Sequence, residues 1–352
     1  MIEKERNEFL KYPTIREAKH YHILDHKLVQ CNICYHRCKI KPGKTGVCKD
    51  RINIDGKLYV LTYGDISSIS CNPMEKKPFF HFYPGTYALT VGSWSCNFLC
   101  PWCQNYDISK YPPNPKSANF LPPEKFMDIL RKKRCSGTSF SFNEPTVSLF
   151  EYSLDVMPLA KKNGFYNTYV TNGYMTPEAL RTLKEYGLDA MNIDIKGCDE
   201  RAERFTGGKL ENVWKTVELA YKLGIHVELT TLVIPGVNDS LSCIASITKR
   251  ILKLSDENIP WHLTRYYPAY KAFDFGLIHE TPVSFLEKAR DYAISLGLKY
   301  VYLGNVPGHP YENTYCPECG ELLIERYIFS IVRLNIVDNK CPRCGTKIPI
   351  IM

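Results

Sequence analysis

Three cysteines lie close together in the first half of the chain, at Cys96, Cys100 and Cys103, just after the strand-like run 87–94. Thiolates hold iron–sulfur clusters, and four of them would close a four-iron cluster completely. Three thiolates on one short loop would hold such a cluster and leave one iron open to a chelating group. The alternative is a zinc site that lacks a ligand, but zinc sites usually space their cysteines in pairs.

A second group of cysteines forms two Cys-Pro-x-Cys-Gly knuckles on either side of a β-rich stretch, 322–337. Its members are Cys316, Cys319, Cys341 and Cys344. Glycine lets the backbone turn toward the sulfurs, and a hairpin would bring the knuckles together around tetrahedral zinc. A single iron in a rubredoxin-like site is the alternative. Because four thiolates leave no open position, we expect a structural zinc ribbon.

A third group precedes the others and contains Cys31, Cys34, Cys38 and Cys48, with His36 between them. Gly43 and Gly46 allow the long loop before the last cysteine to fold back. Zinc is the preferred interpretation of this group, and an auxiliary iron–sulfur cluster is the alternative. The remaining cysteines are isolated along the chain; they are Cys71, Cys135, Cys198 and Cys243.

The totals are those of a globular protein with a large core, since 352 residues include 44% hydrophobic and 23% charged residues. No apolar run approaches the roughly 18 residues of a membrane-spanning helix, and residues 1–7 are charged and have no apolar signal core. We therefore expect a cytoplasmic protein without membrane contact. The cytosol keeps thiols reduced, so its 15 cysteines point to metals rather than to a disulfide framework.

The net charge of +8 would suit nucleic acid or an acidic partner, but Lys and Arg are scattered along the chain. A solvated basic surface is therefore the favoured interpretation. Zinc ribbons also bind nucleic acid, which keeps a tRNA or ribosome contact open. Against it, Tyr327, Phe329 and Ile331 could simply form the packed face of the hairpin.

Between the central and last cysteine groups, β-rich runs alternate with amphipathic helical runs. Four helices are expected to stop at a glycine that an apolar residue follows at once; the glycines are Gly164, Gly187, Gly224 and Gly297. Before Gly224, one helix face carries Val213, Val217, Ala220 and Leu223, as packing against a sheet requires. The candidate strands are 87–94, 138–142, 166–171, 190–195, 226–234, 261–267 and 300–304.

This alternation predicts an α/β fold with parallel strands. Six or seven repeats are too few for a closed eight-fold barrel of about 250 residues, so we expect a partial (β/α)6 barrel. A doubly wound open sheet is the alternative. Barrel sites collect at the carboxyl ends of strands, where this chain carries polar residues; they are Asn143, Glu144, Thr171, Asn172, Asp194, Lys196, Thr230, Thr231, His262 and Arg265.

With the aromatic Trp102 in its last gap, the cysteine loop resembles the CxxxCxΦC motif of the radical S-adenosylmethionine (SAM) superfamily. The resemblance implies a [4Fe-4S] cluster whose open iron is chelated by the amino and carboxylate groups of SAM. An electron from the reduced cluster would cleave SAM to methionine and a 5′-deoxyadenosyl radical. That radical would abstract hydrogen from a substrate.

The resemblance also implies roles for the strand-end residues. Trp102 would lie beside the adenine, Glu144 would bind the methionine amino group, and Asn172 would meet the ribose or the carboxylate. The superfamily often has Gly-Gly-Glu where this chain has Asn-Glu-Pro, so the glycine part is absent. Asp194 and Lys196 match an Asp-x-Lys element that glycyl-radical activases place near the SAM methionine. Further candidates for contact with cofactor or substrate are His262 and Arg265.

Each role has a structural alternative. Asn172 and Gly173 could form only a turn. Glu144 could begin a helix, where the macrodipole favours a negative charge. Asp194 and Lys196 could form a local ion pair.

Five segments narrow the resemblance to the radical SAM enzyme of the AmmeMemoRadiSam system, a branch related to pyruvate formate-lyase activating enzymes. They are EKKP (75–78), HFYPG (81–85), FNEPT (142–146), VTNGYMTPEAL (170–180) and GNVPGH (304–309). The match spans about residues 31–350. Cys71 departs from the family pattern, because the family often carries Asp before the proline of the segment that contains Cys71.

The resulting expectation is a Cys-rich metal-binding segment at 1–84, a radical SAM barrel at 85–305 and a zinc ribbon at 306–352. The implied function is hydrogen abstraction from a macromolecular substrate, a glycyl-radical enzyme above all. Implied partners are an electron donor such as ferredoxin or flavodoxin and the two AmmeMemo companion proteins. One alternative is radical modification of another protein, RNA or small molecule, and another is a metal-containing RNA-binding module without turnover.

Overall fold

The computed structural model of the chain describes residues 8–254 and 256–352. Residues 1–7, on which the expectation about a signal peptide depends, lie outside the described residues. The N-terminal part forms two small antiparallel sheets, ordered β1–β6–β5 and β2–β3–β4. Their strands are β1 (Arg16–Glu17), β2 (Tyr21–Ile23), β3 (Val29–Cys31), β4 (Lys39–Ile40), β5 (Arg51–Ile54) and β6 (Lys57–Val60).

The centre of the molecule is a sheet of eight strands, which follow one another in chain order from one edge to the other. They are β7 (Ser68–Pro73), β8 (Tyr87–Gly92), β9 (Gly137–Phe140), β10 (Tyr166–Thr171), β11 (Ala190–Asp194), β12 (His226–Val233), β13 (Trp261–Arg265) and β14 (Val301–Gly304). Strands β8 to β14 are parallel, whereas β7 pairs antiparallel with β8.

The sequential strand order distinguishes the two architectures that the sequence left open. A doubly wound sheet reverses its order at a switch point, and this sheet has no reversal. The order is that of a partial barrel, in which β7 and β14 remain unpaired edges of the sheet within the described ranges. Six strand–helix units agree with the expected (β/α)6 repeat, and a seventh parallel strand, β14, follows them at the position of the candidate strand 300–304. The antiparallel β7 was not predicted.

Helices occupy each of the six connections between the parallel strands. They are α1 (Tyr106–Ser109), α2 (Pro123–Lys132), α3 (Pro145–Ser148), α4 (Phe150–Lys162), α5 (Pro177–Glu185), α6 (Glu200–Thr206), α7 (Leu210–Lys222), α8 (Leu241–Leu252) and α9 (Val283–Ser295). The glycines at 164, 187, 224 and 297 follow α4, α5, α7 and α9 with positive φ angles between 66° and 118°. This is the left-handed conformation that ends helices and that glycine adopts without strain.

Packing of α7 follows the predicted face. Val213, Val217 and Ala220 are buried against the sheet, and Leu223 is partly buried just after the helix ends. None of the helices in the described part of the chain combines the length and apolar character needed to cross a lipid bilayer.

The C-terminal part is a small sheet of strands β15 (Thr314–Tyr315), β16 (Leu322–Tyr327) and β17 (Ser330–Leu334). Buried Arg326 fastens it to the barrel, since its guanidinium donates to the carbonyl of Phe80 at 3.0 Å. Of the three residues considered for a packed hairpin face, only Ile331 packs against the local core. Tyr327 is 60% exposed and Phe329 is 39% exposed.

The four isolated cysteines form two disulfides, Cys71–Cys135 and Cys198–Cys243. This corrects the expectation that the cysteines serve metals rather than disulfides, as far as these four are concerned. The partners are 64 and 45 residues apart in sequence, so their spacing gives no signal. For the first disulfide, the sheet order brings the two cysteines together. Cys71 lies on β7 and Cys135 lies just before β9, and both strands are neighbours of β8 in the sheet.

Candidate active site

A cavity of about 600 Å³ opens at the carboxyl ends of the parallel strands. Each of the seven strands contributes lining residues at or just beyond its end. They include Cys96, Cys100, Trp102, Cys103, Asn143, Glu144, Thr171, Asn172, Asp194, Lys196, Thr230, His262, Thr264 and Asn305. The cavity has the size of pockets that bind small molecules and cofactors. The predicted rim is therefore a single site, with Thr231 and Arg265 outside its lining.

The segment before the cysteine loop is held by Asn143. This residue was predicted to lie on the rim, but no role was assigned to it. Its side-chain oxygen accepts from the amide of Ser93 at 3.0 Å. Its side-chain nitrogen donates to the carbonyls of Trp94 at 3.0 Å and Ser95 at 2.8 Å. These bonds hold the three residues before Cys96, so the direction in which the loop leaves β8 depends on one amide.

Neighbouring elements hold the rest of the loop through its backbone. The amide of Leu99 donates to the carbonyl of Thr206 at the end of α6, at 2.8 Å. The ammonium of Lys110 donates to the carbonyl of Phe98, also at 2.8 Å. The loop is thus fixed on two sides, while its sulfurs line the cavity.

The three thiols fit a large, thiolate-bound cofactor rather than a single ion. Within residues 8–254 and 256–352, only the C-terminal cysteines form a group of three or more metal-ligating atoms that all lie within 4.8 Å of one another. The sulfurs of Cys96, Cys100 and Cys103 are therefore spaced more widely than one zinc ion allows. Burial raises the pKa of the Cys100 thiol, and the nearby Lys196 and Lys110 act in the opposite direction by favouring the thiolate.

Glu144 lies between β9 and α3 with both carboxylate oxygens engaged. One oxygen accepts from the amide of Thr146 at 3.0 Å and the hydroxyl of Thr171 at 2.7 Å. The other accepts from the amide of Asn172 at 2.8 Å. Burial raises the pKa of this carboxyl, and the hydrogen bonds lower it. Glu144 therefore begins a helix, as the structural alternative predicted, and it also lines the cavity.

Asn172 links the ends of β10 and β8. Its side-chain nitrogen donates to the side-chain oxygen of Asn97 at 2.8 Å and lies 3.9 Å from the sulfur of Cys96. Its oxygen accepts from the amide of Tyr174 at 2.9 Å, and Gly173 has a φ of 70°. The predicted turn therefore exists, and it aims the asparagine amide at the cysteine loop.

Asp194 and Lys196 form an ion pair on the cavity wall, with 2.8 Å between the ammonium and a carboxylate oxygen. Burial lowers the pKa of Lys196, but Asp194 and Cys100 outweigh it, so the pKa lies above its ordinary value. Lys196 therefore stays charged near neutral pH. The pair places a cation next to the cysteine thiols.

His262 lines the cavity, and its ring nitrogen Nε2 is 2.7 Å from a carboxylate oxygen of buried Glu228. Glu228 also accepts the backbone amides of Phe80 and His81 and contacts His226. Burial raises the pKa of Glu228, but the histidine hydrogen bonds outweigh it and hold the pKa below its usual range. Glu228 was not among the predicted site residues; the available signal was an acidic residue inside the apolar strand β12.

Of two further predicted residues, Trp102 lines the cavity and Arg265 does not. Trp102 is buried on the cavity wall and meets Phe205 edge to face, with 5.5 Å between ring centres. Arg265 instead pairs with Glu280 at 2.8 Å and donates to the carbonyl of Thr281. Its guanidinium is engaged on the outer side of the site.

Lys77 is a cavity-lining residue to which the sequence analysis gave no role. It is only 4% exposed, and its ammonium lies 4.3 Å from the ring centre of Phe142. No carboxylate in the described ranges forms an ion pair with it. Burial, with a smaller contribution from Lys76, lowers its pKa to about 7. A buried lysine without a counter-ion is costly and points to a functional site.

The two flanking cysteine groups differ in geometry. In the C-terminal group, the sulfurs of Cys316 and Cys344 are 3.5 Å apart, and those of Cys319 and Cys341 are 3.6 Å apart. All four lie within 4.8 Å of one another, so they can hold a metal ion. The N-terminal group lines a small cavity of its own, and its members are Cys31, Cys34, Cys38 and Cys48.

Comparison with known proteins gives three similarities of different extent. Residues 94–241 match the model of the Radical SAM superfamily. An uncharacterised protein of Methanocaldococcus jannaschii is 43% identical over 340 residues, which cover 96% of this chain and 100% of that protein. A GTP 3′,8-cyclase of Campylobacter fetus is 26% identical over 147 residues, 41% of this chain and 46% of that enzyme. The chain thus spans just under half of the cyclase.

Among solved structures, a domain of a pyruvate-formate lyase-activating enzyme from Bacteroides vulgatus is similar with a TM-score of 0.42 and 16% identity. The similarity covers 48% of this chain and 99% of that domain.

Proposed function

Because the chain belongs to the radical SAM superfamily, we propose that it cleaves SAM reductively and takes a hydrogen atom from a macromolecular substrate. The observation that carries this proposal is the position of Cys96, Cys100 and Cys103. They line a cavity to which the ends of all seven parallel strands contribute.

In this proposal the three thiolates hold a [4Fe-4S] cluster. When bound, the cluster supplies the electron that cleaves SAM to methionine and a 5′-deoxyadenosyl radical. Glu144, Asn172 and Trp102 bind the amino, ribose or carboxylate, and adenine groups of SAM. Their support is their common position on the cavity lining. Asp194 and Lys196 complete the binding site next to the methionine part, with His262 below them.

The C-terminal part of the chain also borders the site. Ile328 and Phe329, in the turn between β16 and β17, line the cavity together with Glu312. The turn of the C-terminal sheet therefore contributes part of the cavity wall. A reactive radical needs exclusion of water and of side reactions.

Exposed apolar side chains around the cysteine loop support a macromolecular substrate. Leu99 lies within the loop and is 63% exposed, and Tyr106 follows it on α1. Tyr106 stacks on Tyr270, and the backbone of Lys271 donates to the carbonyl of Pro101. Exposed apolar residues that cluster beside a cavity mark an interaction surface. We propose a glycyl-radical enzyme as the partner; the alternative is radical modification of another protein, RNA or small molecule with the AmmeMemo partner proteins.

We further propose that the C-terminal cysteines bind zinc, that the N-terminal cysteines form a second metal site, and that the chain divides at 1–84, 85–305 and 306–352. A ferredoxin or flavodoxin would supply the electron, and the AmmeMemo companion proteins would assist. Sulfur separations near 3.5 Å support zinc at the C-terminal site.

The proposed reaction is tested by incubating the anaerobically reconstituted, reduced chain with SAM. We expect release of 5′-deoxyadenosine and methionine, measured by liquid chromatography and mass spectrometry. Cys100→Ala should abolish the release, whereas Cys344→Ala, in the C-terminal group, should retain it. Equal release from wild type and Cys100→Ala, or none from wild type, would contradict the proposal.

The hydrogen donor is tested with a candidate glycyl-radical enzyme that carries deuterated glycine. Abstraction from glycine transfers deuterium to 5′-deoxyadenosine, which gains one mass unit. Unlabelled 5′-deoxyadenosine from an active enzyme would exclude glycine as the donor and favour the alternative substrates.

A further inference from the structure

The N-terminal cysteines surround a small buried cavity beside the active site. Cys31, Cys34 and Cys48 are buried, and Cys38 is partly buried. All four line the same cavity and affect one another electrostatically. They come from the end of β3, the turn after it and the loop before β5, so tertiary structure gathers them into one site.

The sulfurs of these cysteines are spaced more widely than the ligands of a single zinc ion. Zinc–sulfur bonds of about 2.3 Å in a tetrahedron place the sulfurs about 3.8 Å apart. The C-terminal group meets this requirement with separations of 3.5 and 3.6 Å. In the described residues, no three N-terminal sulfurs lie within 4.8 Å of one another. Four thiolates at wider spacing suit a cofactor with several metal atoms.

Two buried side chains with hydrogen-bond donors line the same cavity. The Nε of Arg51 has no hydrogen-bond partner in the described part of the chain, and the side-chain amide of Asn97 faces the thiol of Cys34 as a hydrogen-bond donor. Both residues are almost completely buried. Because a buried donor without an acceptor costs free energy, this arrangement points to an anionic occupant with several acceptor atoms. Inorganic sulfide and thiolate sulfur supply such acceptors.

The N-terminal site adjoins the central cysteine loop. Asn97 lies between Cys96 and Cys100 in sequence, and its carbonyl is 2.8 Å from the ring nitrogen Nε2 of His36. The hydroxyl of Ser95 donates to the carbonyl of Cys48. Hydrogen bonds to residues 95 and 97 therefore connect the N-terminal cysteine group to the loop that carries Cys96, Cys100 and Cys103.

We propose that Cys31, Cys34, Cys38 and Cys48 hold a second iron–sulfur cluster next to the central one. This reverses the zinc interpretation that the cysteine spacing favoured. The proposal goes beyond SAM cleavage and does not depend on it, because it concerns the composition of a separate site.

The test uses the full chain with Cys96, Cys100 and Cys103 all replaced by Ala. After anaerobic reconstitution with iron and sulfide, we expect this variant to retain about half of the wild-type iron and an equal amount of acid-labile sulfide. Mössbauer spectroscopy should identify the iron as a cluster. Adding Cys34→Ser and Cys48→Ser should remove it, whereas adding Cys341→Ser and Cys344→Ser should not.

Zinc without acid-labile sulfide in the triple variant would overturn the proposal, as would a folded triple variant without iron. If the triple variant does not fold, wild type answers the question. More than about four iron atoms per chain, reduced to about four by Cys34→Ser and Cys48→Ser, supports the second cluster. A wild-type chain with only about four iron atoms overturns it. None of these outcomes depends on whether SAM is cleaved.

Discussion

At the scale of single residues, Asn143 illustrates how the active site is positioned by groups that need not touch a substrate. Its amide makes four hydrogen bonds, to Ser93, Trp94, Ser95 and Ser148. Three of them use its nitrogen as the donor. The loop before Cys96 therefore has the same amide as its common anchor.

We expect Asn143→Asp to loosen this loop, because the isosteric carboxylate keeps the acceptor and loses the donor. Two buried carbonyls would lose their partner, which predicts a loss of about 2 kcal/mol or more in unfolding free energy. Urea unfolding and iron content after reconstitution measure the effect. Asn163→Asp, an exposed amide that donates to the carbonyl of Leu159, is the matched control and should change little. Equal values for both variants would contradict the anchoring role.

Lys77 gives a pH-dependent prediction. Its pKa is about 7 in the folded chain and about 10.4 in an unfolded one. Between these values the unfolded chain binds more protons, so the contribution of Lys77 to stability rises with pH. Below about pH 7 both states are protonated, and the buried charge destabilises the fold fully.

We therefore expect Lys77→Met to be more stable than wild type at pH 7, by roughly 1–3 kcal/mol. This advantage should shrink as the pH rises toward 10. Denaturant unfolding at several pH values measures it, with Lys76→Met as the control at the neighbouring position. A difference that does not change with pH would contradict the lowered pKa.

At the scale of elements, β5 and α4 are joined by a buried ion pair. Both nitrogens at the end of the Arg51 guanidinium donate to the Glu151 carboxylate at 2.8 Å. The pair connects the N-terminal sheet, which carries Cys48 nearby, to the barrel. Breaking a buried pair leaves an unpaired charge inside the protein.

We expect Glu151→Gln to lower the unfolding free energy by about 3–5 kcal/mol. The exposed pair between Lys57 and Glu17, at 3.2 Å, provides a control. Glu17→Gln should cost less than about 1 kcal/mol. Equilibrium unfolding in urea compares the two variants. A similarly small decrease in unfolding free energy in both would show that the buried pair contributes no more to stability than the exposed pair.

At the scale of the whole molecule, the C-terminal sheet carries a cysteine site and borders the active-site cavity. Arg326 ties this sheet to Phe80 of the barrel. The turn at Ile328 and Phe329 reaches the cavity lining. Loss of the metal should therefore affect solvent exclusion without unfolding the barrel.

We expect Cys319→Ser combined with Cys344→Ser to release zinc and expose 314–352 to limited proteolysis. The barrel fragment should remain intact, because its own sheet and disulfides do not include these cysteines. Mass spectrometry of the fragments locates the cleavage. Resistance of this region in the metal-free variant would show that Arg326 and its neighbours hold the sheet without metal.

Local features of the chain were predictable from sequence alone. The strand at 166–171 agrees with its predicted bounds, and the glycine at 187 follows α5 with a positive φ. The cysteine spacing and the polar strand ends also indicated one shared rim. These predictions succeed because turns, caps and strand patterns depend on residues that are close together in sequence.

Tertiary structure alone decided the rest. It paired Cys71 with Cys135, connected Glu228 to residues from three segments, and buried Lys77 in the cavity without an ion-pair partner among the described residues. It also spaced two sets of four cysteines differently, although both have zinc-like sequence patterns. The physical reason is that distances between atoms far apart in sequence are set by strand order and packing, which residue spacing along the chain does not contain.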